Sequence, residues 1–198
     1  MRGHLLAGLA APASARLEAV APVGQPLFIF VARDGDATLL LPREDRVIEH
    51  GSPAAVLEAV TGVPVDAREL RHLLTACVDG ADAPGGRSLG SEWRLVTFGS
   101  VDAYLRRDPK TQRWHVAAAV HRAATQWRAE YRDFENGLPR AVHLVSEDRS
   151  RFDLRLTLSQ VALNESLAPE VFRVEVPASA ERITLDELRN ARQGVREN

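Results

Sequence analysis

Apolar and polar positions alternate in short bursts along this chain, separated by turn residues, which is the pattern of an all-β sheet or barrel. Pro26 to Val31 (PLFIFV) is apolar at every position and predicts a strand dry on both faces. Arg33-Asp34-Gly35-Asp36 follows as a tight turn, then Ala37 to Leu41 as a second apolar strand ending at Pro42, then Val47 to His50 closed by Gly51. Further on, Glu92–Phe98, Val101–Arg107, Gln112–His121 and Thr125–Phe134 read as successive strands. Asp108-Pro109-Lys110-Thr111 and Asn136-Gly137 are the turns of this run. Arg140–Val145 and Phe152–Val161 form another hairpin around Glu147-Asp148-Arg149-Ser150. In its second strand Phe152, Leu154, Leu156 and Leu158 share one side, and Asp153, Arg155, Thr157 and Ser159 the other, so one face is dry and one wet.

Two helices interrupt the strands. Ser52-Pro53 supplies an N-cap and a first-turn proline for Ala54–Val60, which stops at Gly62 and Pro64. Asp66-Ala67-Arg68-Glu69 has capping-box spacing, and Leu70, Leu73 and Leu74 share the face of the helix behind it. Asp79–Gly90, rich in Gly, Ala, Asp and Pro, predicts a mobile loop. The tail predicts a helical turn at Pro169–Phe172, a strand at Arg173–Val176 and a capped helix from Thr184 with Glu187 at the box position. Helices inserted between strands cannot lie within a sheet and must cover one of its faces, which leaves an apolar space beneath them.

The N-terminus has two readings. Arg2, Leu5–Ala11 and Ala13-Ser14-Ala15 imitate a short signal peptide with an A-x-A cleavage site. The alternative is a β-hairpin turning near Pro12, with Ala15, Leu17 and Ala19 on one face of its second strand and Arg16 and Glu18 on the other. The hairpin is favoured, because the apolar stretch is very short and no cluster of positive charge precedes it. Any leader then lies upstream of Met1.

Composition narrows the picture further. A length of 198 residues suits one domain, here 1–191 with a polar tail at 192–198. Hydrophobic residues at 45% and charged residues at 26% argue against disorder. A net charge of −2 gives no electrostatic case for nucleic acid. Lys110 is the single lysine, so the positive charge is almost all arginine. One cysteine, Cys77, excludes an intrachain disulfide and a cysteine-rich metal site. No apolar run reaches the roughly 20 residues of a membrane-spanning helix.

Candidate chemistry is sparse. Neither phosphate-binding glycine pattern occurs, nor H-E-x-x-H. His115 and His121 share a face if their strand is unbroken, and His143 belongs to a nearby hairpin, but their spacing is not that of a metal site, and scattered structural or surface histidines are favoured. Leu74-Thr75-Ala76-Cys77 imitates a lipobox without the apolar stretch that processing requires, and reads as a buried cysteine at a helix end. No cofactor is implied. Trp93, Trp114 and Trp127, with Tyr131, Phe28, Phe30, Phe98 and Phe152, supply the aromatic area, which is core by default and pocket lining in part.

The order of elements and several strings resemble the LolA/LolB superfamily of periplasmic lipoprotein carriers and receptors. Ala11-Pro12-Ala13-Ser14-Ala15-Arg16-Leu17-Glu18 resembles the second-strand region of LolB-like sequences, and Gly62-Val63-Pro64-Val65 through Leu70 and Leu73–Cys77 resembles their lid helices. Leu156-Thr157-Leu158-Ser159, Asn164, Leu167, Phe172 and Val176-Pro177 are similar to the segment that closes the sheet. The resemblance implies a mostly β, α+β fold: an incomplete antiparallel β-barrel of about ten or eleven strands covered by short lid helices. It also implies a cavity for acyl chains, no cofactor and no covalent chemistry. The implied partners are an acylated lipoprotein or lipid and, optionally, a carrier protein, with no nucleic acid. The implied place is the bacterial envelope: the periplasm, or the outer membrane if the protein is lipidated. A LolB-like receptor carries an N-terminal acylated cysteine, and none stands here, so membrane association would run through an anchor missing from this chain.

The expected function is therefore non-catalytic binding of lipoprotein or lipid acyl chains, for lipoprotein localisation. Burial at about 25 cal/mol per Å² over a few hundred Å² is ample for such binding. The residues expected to line the cavity are Phe28, Phe30, Leu39, Leu41, Trp93, Leu95, Trp127, Tyr131, Leu144, Leu154 and Leu156, with Val56, Leu57, Leu70, Leu73 and Leu74 from the lid. Parity fixes which neighbours alternate but not which face is concave. Rival readings are an envelope sensor or scaffold binding a partner protein with the same fold, and an enzyme acting on a small aromatic substrate.

Overall fold

Turn chemistry sets most of the strand registers. Asp34 and Gly35 take φ of 53° and 82°, and Asn136 and Gly137 take 52° and 82°, the doubly positive geometry of a two-residue hairpin turn. The first of these pairs Arg33 with Asp36, and the second pairs Glu135 with Leu138.

The computed structural model describes residues 3–20, 23–77, 86–123, 125–148 and 151–196. Its strands are β1 (His4–Ala10), β2 (Ser14–Val20), β3 (Phe28–Arg33), β4 (Asp36–Leu41) and β5 (Arg46–Gly51), followed by the helices α1 (Pro53–Thr61) and α2 (Ala67–Thr75). Then come β6 (Arg87–Ser88), β7 (Trp93–Phe98), β8 (Val101–Arg107), β9 (Trp114–His121), β10 (Trp127–Arg132), β11 (Ala141–Ser146) and β12 (Asp153–Thr157). A 3-10 turn (Pro169–Phe172), β13 (Glu181–Arg182) and α3 (Leu185–Arg196) complete the chain. The fold is mostly β with helices, as the strand pattern predicts.

The chain divides into two compact units, residues 1–71 with 164–198, and residues 72–163. The first unit holds a sheet ordered β1-β2-β3-β4-β5-β13, antiparallel except for the parallel pair β5–β13. The N-terminal stretch is the hairpin β1–β2, turning through a cis Ala11–Pro12 bond. Ala15, Leu17, Phe30, Ala32, Ala37 and Leu39 fall on one face through the pairs Leu17–Phe30 and Phe30–Leu39, and all six are buried. α1 packs against β4 and α3.

The other face of this sheet is covered by the tail. Arg173–Val176, expected as a strand, pairs with no strand. It crosses the face as an extended strap, with Val174 and Val176 packed, like Ile29, against the cluster of Leu40, Val47 and Ala180. Arg16 Nη1 donates to the carbonyls of Val171 (3.1 Å) and Arg173 (2.8 Å), so the strap's backbone is satisfied by a side chain rather than a neighbouring strand. Ladder pairing comes later, where Glu181 and Arg182 join Arg46 and Val47.

The second unit is a seven-stranded meander ordered β12-β11-β10-β9-β8-β7-β6, antiparallel throughout. β6 lies within the stretch expected as loop, where residues 78–85 lie outside the described residues. Positions 149–150 of the expected Glu147–Ser150 turn, and 197–198 of the polar tail, also lie outside them.

Helix ends follow their caps with one exception. Asp66 and Glu69 cap each other, Glu69 N–H to Asp66 Oδ1 at 2.8 Å and Asp66 N–H to Glu69 Oε2 at 2.9 Å. Thr184 and Glu187 do the same at α3, with the Thr184 N–H 2.6 Å from Glu187 Oε2. Ser52 occupies the N-cap of α1, but its hydroxyl makes no capping bond; Pro53 presets the first turn instead. Gly62, at φ 82°, closes α1 with its N–H on the Glu58 carbonyl.

Candidate functional site

The second sheet presents one dry face and the first is apolar on both, and most expected lining residues lie on a single face of each sheet. In the first unit Phe28, Phe30, Leu39 and Leu41 share one face by register: Phe30 pairs with Leu17 and Leu39, and Phe28 with Ala19. Phe30, Leu39, Leu41, Val56, Leu57 and Leu70 are buried there, and Phe28 is half-buried. In the second unit Trp127, Tyr131, Leu144, Leu154 and Leu156 share a face through the pairs Leu144–Leu154 and Val142–Leu156 and the neighbours Ala129–Leu144 and Tyr131–Val142. Of the helix residues, Leu73 is buried and Leu74 half-buried.

Trp93 and Leu95 depart from this set. The pairs Leu95–Tyr104 and Val96–Ala103 put Arg94, Val96 and Phe98 on the dry face and turn Trp93 and Leu95 to the wet one. The strand WRLVTF is apolar in both parities, so its pattern alone does not decide between them. Trp93 is 37% exposed, with the Arg106 guanidinium 5.7 Å from its ring centroid.

The dry face of the second sheet is low along its middle row. Ala103, Ala119 and Ala129 stand side by side on β8, β9 and β10, flanked on one side by Val101, His121 and Trp127 and on the other by Leu105, Val116 and Tyr131. Three polar groups, on Trp127, His121 and Tyr131, interrupt it. Trp127 is only 6% exposed, and its indole N–H has no hydrogen-bond partner among the described residues. The ring stacks on His121 at 5.1 Å between centroids, while His121 Nδ1 lies 2.9 Å from the Thr125 carbonyl oxygen. Burial pushes the Tyr131 phenol well above its usual value, as expected of an apolar surrounding.

The histidines do not converge. A bulge opposite Tyr104 and Leu105 adds one residue to β9, so His121 stays on the dry face while His115 turns to the wet face beside Arg106. His115 lies 4.4 Å from the Phe134 ring, and burial lowers its basicity; His143 bonds Asp153 at 2.8 Å. No group of three His, Cys, Asp or Glu side chains positioned to hold a metal occurs among the described residues. Cys77 is exposed, not buried: α2 ends at Thr75, and Ala76 at φ 52° turns the chain out of the helix.

The pattern missed one polar cluster and one groove. Asp102, nearly buried, accepts Thr97 Oγ1–H and Arg122 Nε–H, both at 2.6 Å. The Thr97 hydroxyl foremost, with Arg122 beside it, holds the Asp102 carboxyl below the ordinary carboxylate range. An open groove of about 620 Å³ lies on the tail-covered face of the first sheet, beside the strap, lined by Arg16, Ile29, Leu40, Glu170, Val171, Arg173, Val174 and Glu175. None of the expected lining residues is in it. Its signal was the apolar run Phe28–Val31, which places Ile29 on the side opposite Phe28 and Phe30.

No family model matches the chain, and no curated protein matches it.

Proposed function

We propose that the chain binds the acyl chains of lipoproteins or lipids without catalysis, as a LolA/LolB-like incomplete barrel serving lipoprotein localisation in the bacterial envelope. One observation carries this reading: the dry face of the second sheet, continuous from β7 to β12, whose middle is a row of three alanines and whose edges carry larger apolar residues. Ala103 and Ala129 have no exposed surface, so an acyl chain would lie along this face by displacing the side chains that now cover it, apolar contacts replacing apolar contacts. Asp102, Arg122 and Thr97 bind one another, and no nucleophile with an adjacent base stands among the lining residues.

The test is displacement of a fluorescent apolar probe by a triacylated lipopeptide, with the unacylated peptide as control. Displacement by the acylated peptide alone is expected. Equal displacement by both peptides, or no probe uptake, defeats the reading.

A scaffold reading, in which the same fold binds a partner protein, gains support from a second observation. Phe30, Leu39 and Val56 have no exposed surface, so the positions expected to line a cavity in the first unit are filled by the protein's own packing. Probe-free protein that still captures an unacylated partner would favour it.

A further inference from the structure

We propose that the β8–β9 hairpin end of the second unit docks on an anionic lipid surface. The inference rests on a local concentration of unpaired cations and exposed indoles, and is independent of the acyl-binding reading.

Between Leu105 and His115 stand four cations, Arg106, Arg107, Lys110 and Arg113, against one acid, Asp108, in a chain whose net charge is −2. Elsewhere arginines meet carboxylates: Arg16 with Glu18, Arg46 with Glu181, Arg122 with Asp102, Arg140 with Glu135, Arg182 with Glu49. Among the described residues none of the four hairpin cations has an ion pair. Arg106 lies over the Trp93 ring, and Arg107 reaches only the Gln112 carbonyl, at 3.4 Å. Asp108 offsets one of these four charges but makes no ion pair with any of them; its carboxylate accepts the Lys110 and Thr111 backbone N–H groups at 2.8 and 2.7 Å and folds the turn. Those two bonds hold its carboxyl below the ordinary range. Glu92, Asp133 and Glu135 are the other acids at this end of the sheet, all exposed, and Glu135 is paired with Arg140.

Two tryptophans flank the cations at the strand ends. Trp93 pairs with Arg106 and Trp114 with Arg107, so the indoles leave opposite faces of the sheet in adjacent rows; they are 37% and 39% exposed. A large amphipathic ring left half in water beside unpaired cations is the composition of a membrane interface, where the ring sits at headgroup depth and the cations meet lipid phosphate. The geometry selects lipid over nucleic acid. Indoles on opposite faces cannot stack together on the bases of one strand, whereas both enter a bilayer surface when the hairpin approaches end-on.

The experiment measures binding of the full chain to phosphatidylcholine vesicles with and without phosphatidylglycerol, at low and high salt. Each cation at an anionic surface adds roughly a fivefold gain in partitioning. Wild-type protein is expected to bind the phosphatidylglycerol vesicles, to release them at high salt, and to leave neutral vesicles unbound, with a blue shift in tryptophan emission on binding. Arg106→Gln, Lys110→Gln and Arg113→Gln together should weaken binding roughly a hundredfold. Trp114→Ser should weaken it several-fold with the salt dependence kept. Lys110→Gln alone, at an exposed turn position with no side-chain bond among the described residues, is the control for folding and should cost several-fold. Equal binding to both vesicle types, no binding, or unchanged binding by the triple variant overturns the proposal. So does tighter binding to a single-stranded oligonucleotide than to the vesicles.

Discussion

Single residues carry most of the polar chemistry in this protein. Asp102 is the clearest case, because it ties the β7–β8 turn to the end of β9 through Thr97 and Arg122. Its carboxyl titrates below the ordinary value near 3.9 in the folded chain and near that value when unfolded. The folded state therefore binds this proton less tightly. The resulting stability is complete above about pH 5 and is lost as the pH falls through the folded value. Asp102→Asn removes it, so the gap in melting temperature between wild type and variant should be widest near neutrality and close as the pH falls below the ordinary carboxylate range. Trp127 makes the opposite kind of point. Its buried indole N–H has no partner among the described residues, a cost of about 1–3 kcal/mol that the wild type already bears. Trp127→Phe sheds that cost along with some volume, and is expected to change stability by about 1.5 kcal/mol or less. Trp127→Ala, which opens a cavity, is expected to lose about 3–5 kcal/mol. Denaturant unfolding of the two variants separates the donor from the ring.

At the scale of elements, the caps are the most local statements the sequence makes, and they are the ones the structure matches most directly. Asp66→Ala and Thr184→Ala each remove one half of a reciprocal capping box, and each should cost about 1 kcal/mol in denaturant unfolding. Ser52→Ala should cost less than either, since the Ser52 hydroxyl caps nothing. Strand positions were legible for a related reason: Asp34-Gly35 and Asn136-Gly137 admit few turn geometries, and those turns fix the strands on both sides. What was not legible is the placement of strands whose pattern is apolar in both parities. Trp93 and Leu95 compete with Val96 and Phe98 for the dry face, and only pairing with Tyr104 and Ala103 decides it. The extra residue in β9 likewise leaves no mark in the sequence, yet it moves His115 across the sheet from His121. A period of two records alternation within a strand and says nothing about its neighbours. The tail shows the same limit, because Arg173–Val176 alternates like a strand while its side chains pack flat on another sheet.

At the scale of the whole molecule, the first unit is assembled from two distant stretches of chain, 1–71 and 164–198, with 72–163 inserted between them. The sequence shows no linker at either crossing, because one boundary falls inside α2 and the other in the extended segment after β12. Removing residues 164–198 would uncover Leu40 and Val47 and take away α3, one of the two elements α1 packs against. Each buried aliphatic side chain so exposed costs about 1.5–3 kcal/mol, so the loss approaches the whole stability of a typical domain. The shortened chain is expected to bind a dye specific for exposed apolar surface and to lose the slowest-exchanging amides of β3 and β4. Retention of those protected amides would show that the tail is dispensable. The parallel pairing of Glu181 and Arg182 with Arg46 and Val47 has a further consequence for the order of events at the ribosome. Domains commonly fold from the N-terminus as they emerge. Here the inserted meander has all its strands once Thr157 has been added, while the sheet begun at His4 must wait with Leu40 and Val47 uncovered until the strap and β13 are made. The part of the protein translated first is the part that finishes last, and during that interval its open face is what a nascent-chain chaperone would meet.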